Sequence, residues 1–206
     1  KGLSAVLTRR STGFSPVAER IIEIGAVKVK DAKLGETFSM FVDPGKPIPL
    51  EITRLTGISP EMVLGASGQE AAIKAFKAFA GDACIGAHNA DFDLSFFRST
   101  GARYGVYFTE NPVLDTLGLS RCLLSQNKNH KLDTVVRHFD IPLNHHRALN
   151  DATATAEVLI RFFDMMKAMN ILSTAQINSG LASLKGKQNN KVYHTILLCK
   201  NKTGLK

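Results

Sequence analysis

Apolar and polar positions change their period along this chain. Residues 20–30 (RIIEIGAVKVK) are rich in β-branched side chains and alternate apolar with polar toward their end, the pattern of a half-buried strand. Residues 36–42 (ETFSMFV) read as its hairpin partner, joined through Asp31-Ala32-Lys33-Leu34-Gly35. Ahead of both, residues 4–8 (SAVLT) form a short buried strand that runs into a turn at 11–16. Three early strands in succession predict an antiparallel meander.

From residue 69 the period becomes helical. Ala72, Ile73, Phe76 and Phe79 share one face of a helix over 69–80 that stops before Gly81. A short apolar strand at 83–87 is followed by a helix over 91–104 carrying Phe92, Phe96 and Phe97. Another strand at 112–115 precedes helices at 116–125 and 131–138. A long helix over 148–169 places Ala152, Thr155, Ala156, Leu159, Phe162, Phe163 and Met166 along one stripe. An antiparallel start followed by alternating strand and helix predicts a mixed α/β layer fold. Residues 184–190 are polar and glycine-containing, the composition of a linker, and Val192–Cys199 reads as a fresh strand beyond it. The division expected is therefore a body over 1–182 and an appendage over 183–206, the opening of something larger.

Composition narrows the class. The 206 residues, 44% hydrophobic and 21% charged, suit one folded domain with an appendage. Cys84, Cys122 and Cys199 lie far apart, so a disulfide scaffold or zinc ribbon is not expected, and reduced cytoplasmic thiols are. No apolar run has the length of a membrane span, so no membrane partner is expected. The net charge of +8 is concentrated at one end: residues 183–206 hold six lysines and no acid. Without them the 26 basic and 18 acidic residues become 20 and 18, a net of +2. The body is nearly neutral, and its charge alone does not argue for nucleic acid.

Two segments carry candidate chemistry. The first, His146-Arg147-Ala148-Leu149-Asn150-Asp151, enters the long helix. If His146 sits on the preceding loop and Asp151 in the first turn, the two face one site, Asp151 as a metal ligand and His146 as a general base. Alone, the segment favours the ordinary reading, an acid on the helix macrodipole and a surface histidine. The second, His88-Asn89-Ala90-Asp91-Phe92-Asp93, lies where a strand gives way to a helix. Its acids fit a cleft carboxylate or a helix cap equally well. His130, His138, His145 and His146 lack cysteine partners at zinc-ligand spacing. Asp115 and Asp133 read as turn and capping residues.

Together these segments resemble a family, the DEDD exonucleases of the histidine-containing, DnaQ-like branch. Its second motif is similar to His88-Asn89-Ala90-x-Phe92-Asp93 and its third to His146-Arg147-Ala148-x-x-Asp151-Ala152. The block Ile21-Ile22-Glu23-Ile24-Gly25-Ala26-Val27 and Leu55-Thr56-Gly57-Ile58 are equally typical. The resemblance covers residues 4 to about 170. Asn111-Pro112-Val113-Leu114-Asp115-Thr116-Leu117, His130-Lys131-Leu132-Asp133-Thr134 and His145-His146-Arg147-Ala148 narrow it to the proofreading exonucleases of PolC-type replicative DNA polymerases. In that group the exonuclease is inserted in a histidinol-phosphatase-like (PHP) domain, and residues 193–206 are similar to the point where that domain resumes.

The resemblance implies a ribonuclease-H-like fold, a mixed five-stranded sheet with helices on both faces. It implies 3′→5′ hydrolysis of DNA to nucleoside monophosphates, with two divalent metals, Mg²⁺ or Mn²⁺, held by four carboxylates. It places Asp93 and Asp151 among the ligands and His146 as the base. Thr12, Gly13, Phe14, Leu55, His88 and Asn89 would line the cleft. For Phe14 and Leu55 an ordinary core role stays open. The implied partners are a single-stranded DNA 3′ end and the remainder of the polymerase chain.

The first motif departs from the family. Its two acids, in Asp-x-Glu-Thr-Thr-Gly, align with Thr8 and Arg10 of Thr8-Arg9-Arg10-Ser11-Thr12-Gly13. The local charge rises by three, and at an effective dielectric of 20 a like-charge contact near 4 Å costs about 4 kcal/mol. A two-metal site is not expected to assemble, and a catalytically silent nucleic-acid-binding or scaffolding module is the alternative function. Two origins are open. One is a genuine pseudoenzyme. The other is a frame slip: GAC-ACG-GAG-ACT (Asp-Thr-Glu-Thr) without its leading G reads ACA-CGG-AGA, Thr-Arg-Arg, and one inserted base then gives serine and restores the frame. Restoring Asp at 8 and Glu at 10 is the expected repair.

Overall fold

A computed structural model describes residues 3–143 and 147–171. Its strands are β1 (Leu3–Ser11), β2 (Ile21–Lys30), β3 (Lys33–Asp43), β4 (Ser67–Gly68), β5 (Cys84–Ala87) and β6 (Val113–Asp115). The helices are α1 (Leu50–Thr56), α2 (Pro60–Val63), α3 (Gln69–Ala80), α4 (Ala90–Arg103), α5 (Thr116–Leu123), α6 (Leu132–His138) and α7 (Ala148–Ala168).

The strands form one sheet in the order β4-β3-β2-β1-β5-β6. The β1–β2–β3 meander is antiparallel, and β5 and β6 continue it parallel to β1. The five-stranded sheet expected from sequence is present, and the two-residue β4 extends it at the edge of β3. The mixed α/β class holds.

Alternation along β1 feeds two cores. Ala5 and Leu7 join Phe76, Phe96 and Phe97 of α3 and α4. Val6 points the other way, to Leu159 and Phe162 of α7. Each fully buried Leu or Phe contributes about 1.5–3 kcal/mol, so β1 is fixed on both faces. A third, smaller cluster gathers Ile22, Ile48, Ile52, Ile58 and Val63 under α1 and α2.

Two differences from the sequence expectation bear on the site. The first strand runs to Ser11, so its last residues are sheet, where a turn was expected from residue 11. The helices α1 and α2 were not foreseen. They have seven and four residues, and Pro49, Gly57 (φ 71°) and Pro60 cut the segment too finely for a helical period to show. The expected division at residue 182 and the strand at 192–199 lie outside the described residues. Among the described residues no helix is long and apolar enough to cross a membrane.

Candidate active site

The C-terminal ends of the parallel strands β1, β5 and β6 open on one side of the sheet, where ligands bind in open α/β sheets. The start of α4 carries Asp93 to this side and the start of α7 carries Asp151. Both acids are buried. Each meets an arginine from β1.

Asp151 accepts a hydrogen bond from Arg10 Nη2 at 2.5 Å. A guanidinium donating to a carboxylate at this length is a strong charge-assisted contact. Arg10 and Thr8 share the face of β1 that looks toward α7, and Thr8 pairs with Gly25 across the sheet.

Arg9 lies on the opposite face, in register with Ala5 and Leu7, at a position the core should fill with an apolar side chain. It is only 6% exposed. Its guanidinium carbon lies 3.4 Å from the Phe96 ring centroid and 4.6 Å from that of Phe92. Nη1 donates to Ser11 Oγ at 2.7 Å, and Nε stands 3.8 Å from Asp93 Oδ1. Among the described residues Nε and Nη2 have no hydrogen-bond partner. Cation–π attraction offsets part of the desolvation. Burial nevertheless outweighs the ion pair on both sides: it lowers the Arg9 pKa to about 10 and raises that of Asp93 to about 6.

The sequence reading missed Arg9. The signal was present, since a residue two beyond Leu7 on a central strand continues a buried face. It also missed Glu23, the cross-strand partner of Arg10, whose carboxylate is completely buried.

The other expected site residues are placed as follows. Thr12 is buried and closes the loop after β1: its hydroxyl donates to Glu19 Oε2 at 2.6 Å and accepts from Arg20 N at 2.9 Å. A Cβ on Gly13 would stand 2.9 Å from Glu19 Cγ, so a side chain there would crowd this turn. Arg103 of α4 ties the loop down through the Val17 carbonyl. Phe14 and Leu55 are 70% and 62% exposed, which removes the core role for both. His88 Nε2 lies 2.8 Å from the His130 carbonyl oxygen and Nδ1 3.0 Å from Thr116 Oγ1. Since a carbonyl only accepts, Nε2 donates, and burial lowers the pKa of the ring. The ring thus braces the floor behind α5. Asn89 is exposed in a left-handed turn (φ 72°) and donates its N–H to Asp115 Oδ1 at 2.9 Å. Asp115 also accepts from the N–H groups of Ala90, Leu117 and Gly118, joining the starts of α4 and α5. His146 lies outside the described residues.

The chemistry of this donor set does not fit a two-metal centre. Thr8 and Arg10 supply no carboxylate, and both Asp93 and Asp151 already face a guanidinium. Among the described residues no group of three or more His, Cys, Asp or Glu is gathered for a metal ion. The formal charges of Arg9, Arg10, Asp93 and Asp151 sum to zero without one.

Solved structures with the same fold include Exonuclease X in complex with 5′ overhanging duplex DNA. It is 24% identical with a TM-score of 0.65, over 79% of this chain and 92% of that one. Escherichia coli Exonuclease I in complex with a dT13 oligonucleotide is 16% identical with a TM-score of 0.69, over 81% and 43%. Among curated relatives, DNA polymerase III PolC-type of Caldanaerobacter subterraneus subsp. tengcongensis is 43% identical over 100% of this chain and 15% of its own length. Its counterparts in Clostridium perfringens and Bacillus subtilis are 42% and 37% identical over 95% of this chain and 14% of theirs. The chain thus spans about one seventh of these relatives. Residues 11–159 match the family described as exonuclease, whose members generally depend on divalent metals. With that match running from the end of β1 into α7, the chain belongs to the exonuclease family.

Proposed function

We propose that this chain is the 3′→5′ exonuclease domain of a PolC-type replicative DNA polymerase, in a form that receives a single-stranded 3′ end but hydrolyses it poorly. The observation that carries this reading is the pair of arginine–aspartate contacts, Arg10 on Asp151 and Arg9 on Asp93, in the cleft of an exonuclease-family fold. Similarity to PolC-type relatives over the whole chain supports the polymerase assignment, and in this reading residues 183–206 belong to the return into the PHP domain. The DNA complexes of the structural neighbours support a nucleic-acid strand as the ligand. Phe14 and Leu55 are apolar, exposed and free to stack on or wedge against terminal bases.

A two-metal clamp contributes several kcal/mol to phosphodiester hydrolysis, so its loss costs on the order of a thousandfold or more in rate. Binding of the strand does not share that loss, because the cleft neutralises its own acids. The same contacts therefore favour the non-catalytic module over a working nuclease for this copy. The test combines fluorescence anisotropy of a 3′-labelled single strand with release of labelled mononucleotide, each with Mg²⁺, Mn²⁺ or EDTA. Binding in all three solutions with negligible release is the expected result. Brisk magnesium-dependent release would overturn it.

A further inference from the structure

We propose that Glu23 is the positioning residue for the start of α7, and so for the placement of Asp151. The inference rests on the reading above, in which Asp151 belongs to the catalytic cleft. Arg147, the residue that caps α7, makes no side-chain bond to the helix end. The missing acceptor comes from the sheet. Glu23 Oε2 accepts from Ala148 N at 2.8 Å and Oε1 from Arg147 Nε at 2.7 Å. The carboxylate thus satisfies an orphan helix N–H, complements the positive end of the helix and neutralises a guanidinium. Arg147 is held a second time, 4.7 Å over the ring of Phe41 on β3.

Gly25, two residues along the same face, completes the seat. A Cβ there would stand 2.1 Å from Leu149 N and 2.2 Å from the Ala148 carbonyl carbon, so the helix end rests directly on the backbone of β2. Asp151 lies three residues into the helix from Ala148, about 4.5 Å along its axis. Any shift of the seated end is therefore transmitted rigidly to Asp151. The bonds of Glu23 go to Arg147 and Ala148, so it acts on Asp151 through the helix.

The test uses Glu23→Ala and Glu23→Gln in two backgrounds, the chain as it stands and one carrying Thr8→Asp, Arg9→Thr and Arg10→Glu. In the first, amide hydrogen exchange at Ala148 and the Arg147 Nε–H signal are followed by NMR. Glu23→Ala is expected to lose protection at both. Glu23→Gln keeps the shape with one acceptor oxygen and is expected to lose protection at one. If Glu23→Ala does not fold, Glu23→Gln decides. In the second background, measured at a temperature where the variant is fully folded, Glu23→Gln is expected to lower kcat on a 3′-labelled single strand by about a hundredfold, the cost of roughly an ångström of misplacement, with KM nearly unchanged. If the triple variant does not hydrolyse DNA, the reading of the first motif fails by itself, and hydrogen exchange decides the role of Glu23. Unchanged protection at both groups, or a kcat loss that only tracks the melting temperature, would overturn the proposal.

Discussion

Restoring acids at positions 8 and 10 leaves one obstacle in the cleft. In the Thr8→Asp, Arg10→Glu variant the guanidinium on Asp151 is gone and two carboxylates are added, but Arg9 still stands 3.8 Å from Asp93 and under the ring of Phe96. A metal using Asp93 must displace that guanidinium and then sit beside its charge. At an effective dielectric of 20, a divalent ion and a guanidinium near 4 Å repel by about 8 kcal/mol, twice a unit-charge contact. If relaxation and solvent leave a quarter of this, about 2 kcal/mol remains, a factor of about thirty in affinity. Adding Arg9→Thr removes the obstacle and the buried, partly unbonded cation with it. Manganese titration by calorimetry should therefore find two sites in the triple variant, one site with a second about thirtyfold weaker in the double, and none in the parent chain. Equal binding by double and triple variants would refute the role given to Arg9. No binding by either would refute the geometry of the whole site.

Three further outcomes are expected. The folded-state pKa of Asp93 is raised to about 6 from 3.8, so its proton stabilises the fold below about pH 4 and that contribution is lost as pH rises through 6. Urea unfolding of the parent should fall by about 3 kcal/mol relative to Asp93→Asn between pH 3.8 and 7; a flat difference would mean that Asp93 is ionised like a surface acid. In the triple variant, Asp151→Ala should abolish mononucleotide release and His146→Ala should lower it by about 10²–10⁴-fold, the usual contribution of a general base; full activity of either would remove that residue from the site. Ending the chain after Ala182 should leave the melting temperature unchanged, because the removed residues 183–206 open on a polar, glycine-containing stretch and carry six lysines and no acid. A large drop would show that the removed segment packs on this body.

The sheet and long helices were legible because their periods are long enough to be counted. The stripe of α7 from Ala152 to Met166 is an example, with Ala152, Thr155, Ala156, Leu159, Phe162 and Met166 all buried. The site was legible in its acids and, through the resemblance, in Arg10 at a first-motif acid position, but not in Arg9. Asp93 and Asp151 could be placed at helix starts from spacing alone, whereas Arg9 read as the polar end of a strand that in fact continues to Ser11. On a central strand covered on both faces, a charged residue meets protein whichever way it points, and only the neighbouring elements decide which groups those are. Glu23 was hidden by the same logic: a lone acid within Ile21-Ile22-Glu23-Ile24 reads as the polar member of an alternation, but α7 covers that face. Contacts such as Glu23 to Ala148, 125 residues apart, leave no trace in local pattern.

In the proposed reading, Arg9 and Arg10 occupy the acids of the cleft and suppress hydrolysis of DNA. Mononucleotide release from a 3′-labelled single strand at saturating Mn²⁺, measured side by side for the parent chain and the Thr8→Asp, Arg9→Thr, Arg10→Glu variant, tests it most directly. Release by the variant is expected to be at least about a thousandfold faster than by the parent. Equal rates, with the parent active and its activity abolished by EDTA, would contradict it.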